Sequence, residues 1–203
     1  MVMQVTLEKD AEGLLGLPYG DPETPLRRFW NLDEQPEFIE NIPEVSDYPQ
    51  LKEFLYKVST PSIHFCTFGC EKWSKQVDYS NWITHESGLY VDFAFSYIEF
   101  ASNKDNYLKF VDDVKEHGQS LNEANAHSNL ALVRFEPKRA VINATGTRFW
   151  IVTAWLYGVG HCIEMADNVR NYALRQLFAC MEAQSKELDR MDLTQCTKLL
   201  RGL

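Results

Sequence analysis

Seven of the eight prolines, Pro18, Pro22, Pro25, Pro36, Pro43, Pro49 and Pro61, fall between Leu17 and Ser62. Each fixes φ and removes a backbone donor, so this stretch can build neither a long helix nor a central strand. The segment also holds Tyr19, Phe29, Trp30, Phe38 and Ile42, too much apolar surface to float free. The expectation is an extended, Pro-rich acidic arm over 1–61 that wraps an α+β body at 62–203, the whole 1–203 forming a single domain. One short helix fits the arm, from Tyr48 to Val58. There Pro49 sits in the first turn and Leu51, Phe54, Leu55 and Val58 share a face.

The body has clearer periods. Leu89, Val91, Phe93, Phe95 and Tyr97 alternate with Asp92, Ala94 and Ser96, the two-residue period of a half-buried strand. Ser62 to Gly69 reads as a strand ended by glycine, and Asn106 to His117 as a helix stopped at Gly118. Leu130 to Phe135 and Arg139 to Asn143 flank Glu136-Pro137-Lys138, which suggests a hairpin. Phe149 to Leu156 is uniformly apolar, and period alone does not separate strand from buried helix there. From His161 to about Asp189 the stripe Cys162, Met165, Ala166, Val169, Ala173, Leu177 and Cys180, widened by Phe178, predicts a long helix buried on the sheet. Strands followed by helices, without strict alternation, give an α+β fold. Its expected core is a mainly antiparallel sheet of about four to five strands against a long C-terminal helix.

Charge narrows the partners. Residues 1–126 carry 22 acids and 10 bases, residues 127–203 carry 7 and 10, and the net is −9. Such a surface repels a phosphate backbone, so direct nucleic-acid binding is not expected; the one basic cluster is Arg134, Lys138, Arg139 and Arg148. The start of the chain has no basic segment followed by an apolar one, and the longest apolar run, 149–163, is too short to span a bilayer. The five cysteines are an odd number, which argues against a closed disulfide framework. A cytoplasmic protein with no membrane partner is the expectation.

Three groups could carry chemistry. His64-x-Cys66-x-x-x-Cys70 presents a nitrogen and sulfurs near a strand end, but lacks the C-x-x-C pairs of structural zinc, so no metal is assigned. If a helix followed Gly69, Cys70 would sit where helix N–H groups stabilise a thiolate. It would then be a nucleophile with His64, His85 or, first of all, His161 as base. Gly158, Gly160 and His161, between strand and helix, could seat a phosphate or carboxylate at the helix N-terminus. None of these patterns requires a cofactor, and no Walker, H-E-x-x-H, G-x-S-x-G or EF-hand motif occurs.

The reading that uses only visible features is an acidic protein-interaction module. Its surface would be Trp30, Asp33, Glu34, Glu37, Phe38, Glu40, Glu44 and Asp47, aromatic anchors bordered by charge. Its partner would be a basic, nucleic-acid-handling protein that it inhibits, in the manner of a nucleic-acid mimic. The alternatives are a small cysteine-dependent enzyme built on Cys70 and an anion sensor built on Gly158 to His161.

Overall fold

The computed structural model of the chain describes residues 2–18, 31–124 and 130–200, with 121–124 by backbone alone. Its framework is a sheet of β1 (Val2–Leu7), β2 (Leu14–Leu17), β3 (Phe65–Ser80), β4 (Ile83–Phe95), β5 (Leu130–Ile142) and β6 (Thr147–Gly160). The order is β1-β5-β6-β4-β3, with β2 following β1 along the same edge of β5. The helices are α1 (Pro49–Val58), α2 (Ile98–Ala101), α3 (Lys104–Ala124) and α4 (Ile163–Leu188).

The α+β class and the packing of the sheet against the C-terminal helix are as expected. The sheet itself is not mainly antiparallel. It has six strands and is mixed, because β1 and β2 run parallel to β5 while β3, β4, β5 and β6 pair antiparallel. Both parallel strands come from residues ahead of Pro18, in the part assigned to the arm. They are short edge pieces, too brief to show a period.

The arm is corrected as well. Within the described residues, 36–45 fold into two 3-10 turns, Pro36–Asn41 and Pro43–Val45, followed directly by α1. Ile39, Val45 and Tyr48 are buried, and so are Leu51, Phe54, Leu55 and Val58 of α1. Prolines that forbid long elements still begin short ones, since their fixed φ suits a first helical turn. The extended stretch that remains of the proposal, including Trp30, lies outside the described residues.

β4 buries the expected row, with Leu89, Val91, Phe93 and Phe95 at or near zero exposure, but the alternate residues Asp92, Ala94 and Ser96 are buried as well, so this end of the strand is covered on both faces rather than half-buried. Phe93 meets Phe65, Phe110 and Phe135 on the helical face of the sheet. β3 does not stop at Gly69 but continues to Ser80 through a register shift between Thr67 and Gly69. A strand glycine that marks a bulge reads like a terminator in sequence. Gly118 likewise lies within α3, where an added Cβ would come 3.0 Å from the Met3 methyl group. Close approach to β1 explains that glycine.

The hairpin expected at Pro137 is one continuous strand. The Phe135 and Pro137 carbonyls accept from the Glu8 and Ala11 N–H groups at 2.8 Å, so this side of β5 faces β1 and β2. In a strand a residue's N–H points the same way as its own C=O. Position 137 falls in the gap between β1, which ends opposite Phe135, and β2, which starts opposite Arg139. The missing donor of proline therefore costs no ladder bond.

The ambiguous 149–156 run is strand, the central β6, and α4 crosses it. Ala166, Val169, Ala173, Leu177 and Met181 are buried, whereas Met165 and Phe178 are half-buried. Phe178 packs edge-on to Phe54 of α1 at 6.3 Å. Arg170 fastens the helix. Only 5% exposed, its guanidinium donates to Ser87 Oγ at 2.5 Å and Tyr48 OH at 3.2 Å, and pairs with Asp167 at 3.0 Å. At the other end the tail crosses the sheet margin, where the Leu199 N–H donates to the Ser96 carbonyl at 2.8 Å. Among the described residues no helix is long and apolar enough to cross a membrane.

Candidate functional site

The residues singled out in sequence are dispersed. Cys70 is not at a strand-to-helix junction; it lies within β3, opposite Val91. Burial pushes its thiol up to about 12, with the Glu44 and Asp92 carboxylates adding to the effect. This is the opposite of an activated nucleophile. His64 precedes β3 and His85 pairs with Gln76, so each is six residues along the strands from Cys70, about 20 Å at strand rise. His64 Nε2 is instead 2.8 Å from Asp189 Oδ1, and the buried Cys66 thiol donates to the Ala94 carbonyl at 3.7 Å. No cluster of metal-ligating side chains occurs among the described residues.

Gly158 and Gly160 form the seat of α4. A Cβ at Gly158 would stand 2.0 Å from the Ala166 carbonyl oxygen and 2.5 Å from the Arg170 nitrogen, and one at Gly160 would stand 2.8 Å from Met165 Cβ. At both glycines α4 occupies the space that a side chain would need, by its backbone at Gly158 and by Met165 at Gly160. His161 is exposed in the turn ahead of α4, its carbonyl accepting from Thr84 Oγ at 2.9 Å.

The acidic run is partly consumed. Glu40 accepts from Lys52 Nζ at 2.8 Å and Tyr56 OH at 2.9 Å, and Asp47 pairs with Lys72. Phe38 packs against the core. Glu34 and Glu37 are exposed and Glu44 half-buried. Asp33 is exposed as well, and partial desolvation by its neighbours raises its carboxyl, with Lys198 opposing. The run keeps carboxylates at the surface but offers no aromatic anchor among the described residues.

The aromatic anchors are elsewhere, on the face of the sheet away from α3 and α4. Directly paired residues of adjacent strands project to one side, and the pairing places Glu71 with Tyr90, Trp73 with Gly88, Lys75 with Glu86, Tyr90 with Trp155, and Trp155 with Arg134. Tyr157 lies beside Gly88 in the same row. Trp73, Tyr90, Trp155 and Tyr157 are all half-buried. Trp73 stands edge-on to Trp155 at 6.0 Å and to Tyr157 at 5.7 Å, and Tyr90 is 5.2 Å from Trp155. Gly88 makes room for this cluster, since a Cβ there would lie 2.1 Å from the Trp73 ring.

Polar partners hold the rings in place. Glu86 accepts from Tyr79 OH at 2.6 Å and Trp73 Nε1 at 3.4 Å and pairs with Lys75 at 3.0 Å. Burial opposes its ionisation, yet these bonds keep its carboxyl below the ordinary range. Glu136 accepts from Trp155 Nε1 at 3.3 Å. The Arg134 guanidinium lies 5.4 Å from the Trp155 ring centre and 5.7 Å from that of Tyr157, and donates to Tyr157 OH at 3.1 Å. The face thus already carries one stacked guanidinium.

Carboxylates neighbour Tyr90 on this face. Burial first, then Asp92, Glu71 and Glu44 among its neighbours, push the Tyr90 hydroxyl up to about 12. Glu44, from the acidic run, thus acts on Tyr90 through its charge. Beyond the rings the β3–β4 hairpin projects, with Tyr79 59% and Trp82 82% exposed.

Sequence reasoning missed this site. The signal was the period-two rows Glu71, Trp73, Lys75 and Arg134, Glu136, Lys138, hidden once β3 was ended at Gly69 and β5 broken at Pro137. Comparison with protein-family models, with curated proteins and with solved structures returned no match.

Proposed function

We propose that this is a cytoplasmic protein-interaction module that docks a basic protein partner on the helix-free sheet face. The observation that carries the reading is the preorganised cluster of Trp73, Tyr90, Trp155 and Tyr157 beside Glu44 and Glu71. Rigid aromatic rings supply buried contact area at low entropic cost, and neighbouring carboxylates steer and select a cationic partner. Lysine or arginine side chains of the partner stack on the rings as Arg134 does. Shielding a nucleic-acid-handling surface is the role that suits a net charge of −9, since the partner's own ligand is a polyanion.

A fluorescently labelled arginine-rich decapeptide, titrated against the full chain by anisotropy, tests this. Affinity is expected to fall steeply between low and physiological salt. Trp155→Ala and the double variant Glu44→Gln, Glu71→Gln are each expected to weaken it roughly tenfold, the scale of an interface hot spot. Equal affinity for a glutamate-rich peptide, or indifference to salt and to both variants, would remove the proposal.

A further inference from the structure

The basic cluster noted in the sequence divides in the fold. Arg134 and Lys138 belong to the aromatic face and its neighbour Asp92, to which Lys138 approaches within 3.6 Å. Arg139 and Arg148 lie on the opposite face, at the end of the β5–β6 pair. Arg139 is paired with Trp150 and Arg148 is two residues before it, so the two arginines are diagonal neighbours, roughly 7 Å apart at Cβ. They line a pocket of about 350 Å³ together with Gly13, Ser102, Phe149 and Trp150.

Two like charges placed side by side on a sheet repel each other unless an anion lies between them. Among the described residues neither arginine has a carboxylate within ion-pair distance. A third cation stands close by: Lys104, whose ammonium is 5.0 Å from the Trp150 ring centre and which pairs with Asp10, the one carboxylate in contact with this group among the described residues. The Arg139 guanidinium is 5.3 Å from the same ring. Lys104 also opens the 21-residue α3, whose N-terminal dipole adds positive potential. Ser102 offers a hydroxyl, now donated to the Arg148 carbonyl at 3.2 Å. In a chain of net charge −9, a pocket lined by two unpaired arginines and the Trp150 ring, with Lys104 against the same ring, is a specific departure from the surface around it.

We infer that this pocket binds a small phosphorylated molecule, its phosphate held between the Arg139 and Arg148 guanidinium groups. Planar guanidinium forks match phosphate oxygens two at a time. The volume suits a small metabolite, and the overall negative charge disfavours an extended nucleic acid. The pocket is on the other side of the sheet from the aromatic cluster, so neither proposal depends on the other.

Intrinsic fluorescence, with Trp150 in the pocket wall, provides the readout, and the probes are inorganic phosphate, pyrophosphate and succinate. Saturable binding is expected for pyrophosphate, more weakly for phosphate, and least for succinate. Arg139→Gln and Arg148→Gln are each expected to lower pyrophosphate affinity at least tenfold, while Arg134→Gln leaves it unchanged. Both pocket arginines are exposed, so unaltered thermal melts are expected to show that the variants fold. No saturable binding of pyrophosphate at millimolar concentration, an equal loss with Arg134→Gln, or succinate binding as tightly as pyrophosphate would each overturn the assignment.

Discussion

Leu177→Ala is expected to lower the stability of the fold by about 2–5 kcal/mol, the range for truncating a fully buried leucine. Leu177 is 1% exposed on the face of α4 that meets the sheet, and removing its isobutyl group leaves a void that rigid strands cannot close. The same helix supplies the controls. Phe178 is half-buried against Phe54, with the Lys57 ammonium 5.4 Å from its ring centre, so Phe178→Ala is expected to cost less than Leu177→Ala. Arg175 is exposed, and Arg175→Ala is expected to fall within about 0.5 kcal/mol. Urea denaturation of the three variants measures the order. Equal small losses would mean that this face of α4 is not packed on the sheet.

Gly158→Ala is expected to be disproportionately harmful for so small a change, at or above the upper end of the roughly 1–3 kcal/mol that overpacking costs. The added methyl group would stand 2.0 Å from a backbone oxygen and 2.5 Å from a backbone nitrogen of α4. Unlike a side chain, neither atom can rotate away, so the helix as a whole has to lift from β6. That movement strains the Arg170 contacts to Ser87 and Tyr48, and buried charges that lose their partners are costly. Gly146→Ala serves as a contrast: its φ of 71° lies in the left-handed region, but nothing stands within 4 Å of the added Cβ. Its cost is confined to the backbone term, about 1 kcal/mol. A Gly158→Ala protein as stable as the parent would contradict the close seating of α4.

What the sequence showed depended on the length and uniformity of each pattern. The alternation that runs through the second half of β4 from Leu89 and the wide stripe of α4 were legible because many residues vote for one period. β1 and β2 were not, being six and four residues long and stabilised by parallel pairing to a strand more than a hundred residues away. Gly69 and Pro137 were read as punctuation because both usually are. Only the register, a bulge beside the first and a gap between edge strands beside the second, shows why each is tolerated. The pairs Gly158 and Gly160 were legible as a close approach but not as to what approaches, which is helix backbone.

The candidate site was lost for the same reason. With β3 cut short and β5 split, Trp73 fell outside the expected strands and Glu136 in the expected turn between them, and no row of aromatic residues could be assembled across strands. The acidic run, contiguous in sequence, drew attention instead. Two of its carboxylates are engaged at the surface by Lys52 and Lys72, and its Phe38 packs against the core. Glu44 links the two readings, since it belongs to that run and also influences Tyr90.

The most direct test of the aromatic face uses the indole N–H groups as reporters. Trp73 and Trp155 donate to Glu86 and Glu136, so a cation that engages these carboxylates or rings changes both resonances. Trp150 lies on the opposite face and provides the internal reference. Titration of ¹⁵N-labelled full chain with the arginine-rich decapeptide, with signals assigned by single Trp→Phe variants, is expected to shift the Trp73 and Trp155 resonances and leave that of Trp150 in place. Peptide binding that moves Trp150 while Trp73 and Trp155 stay unchanged would contradict the account.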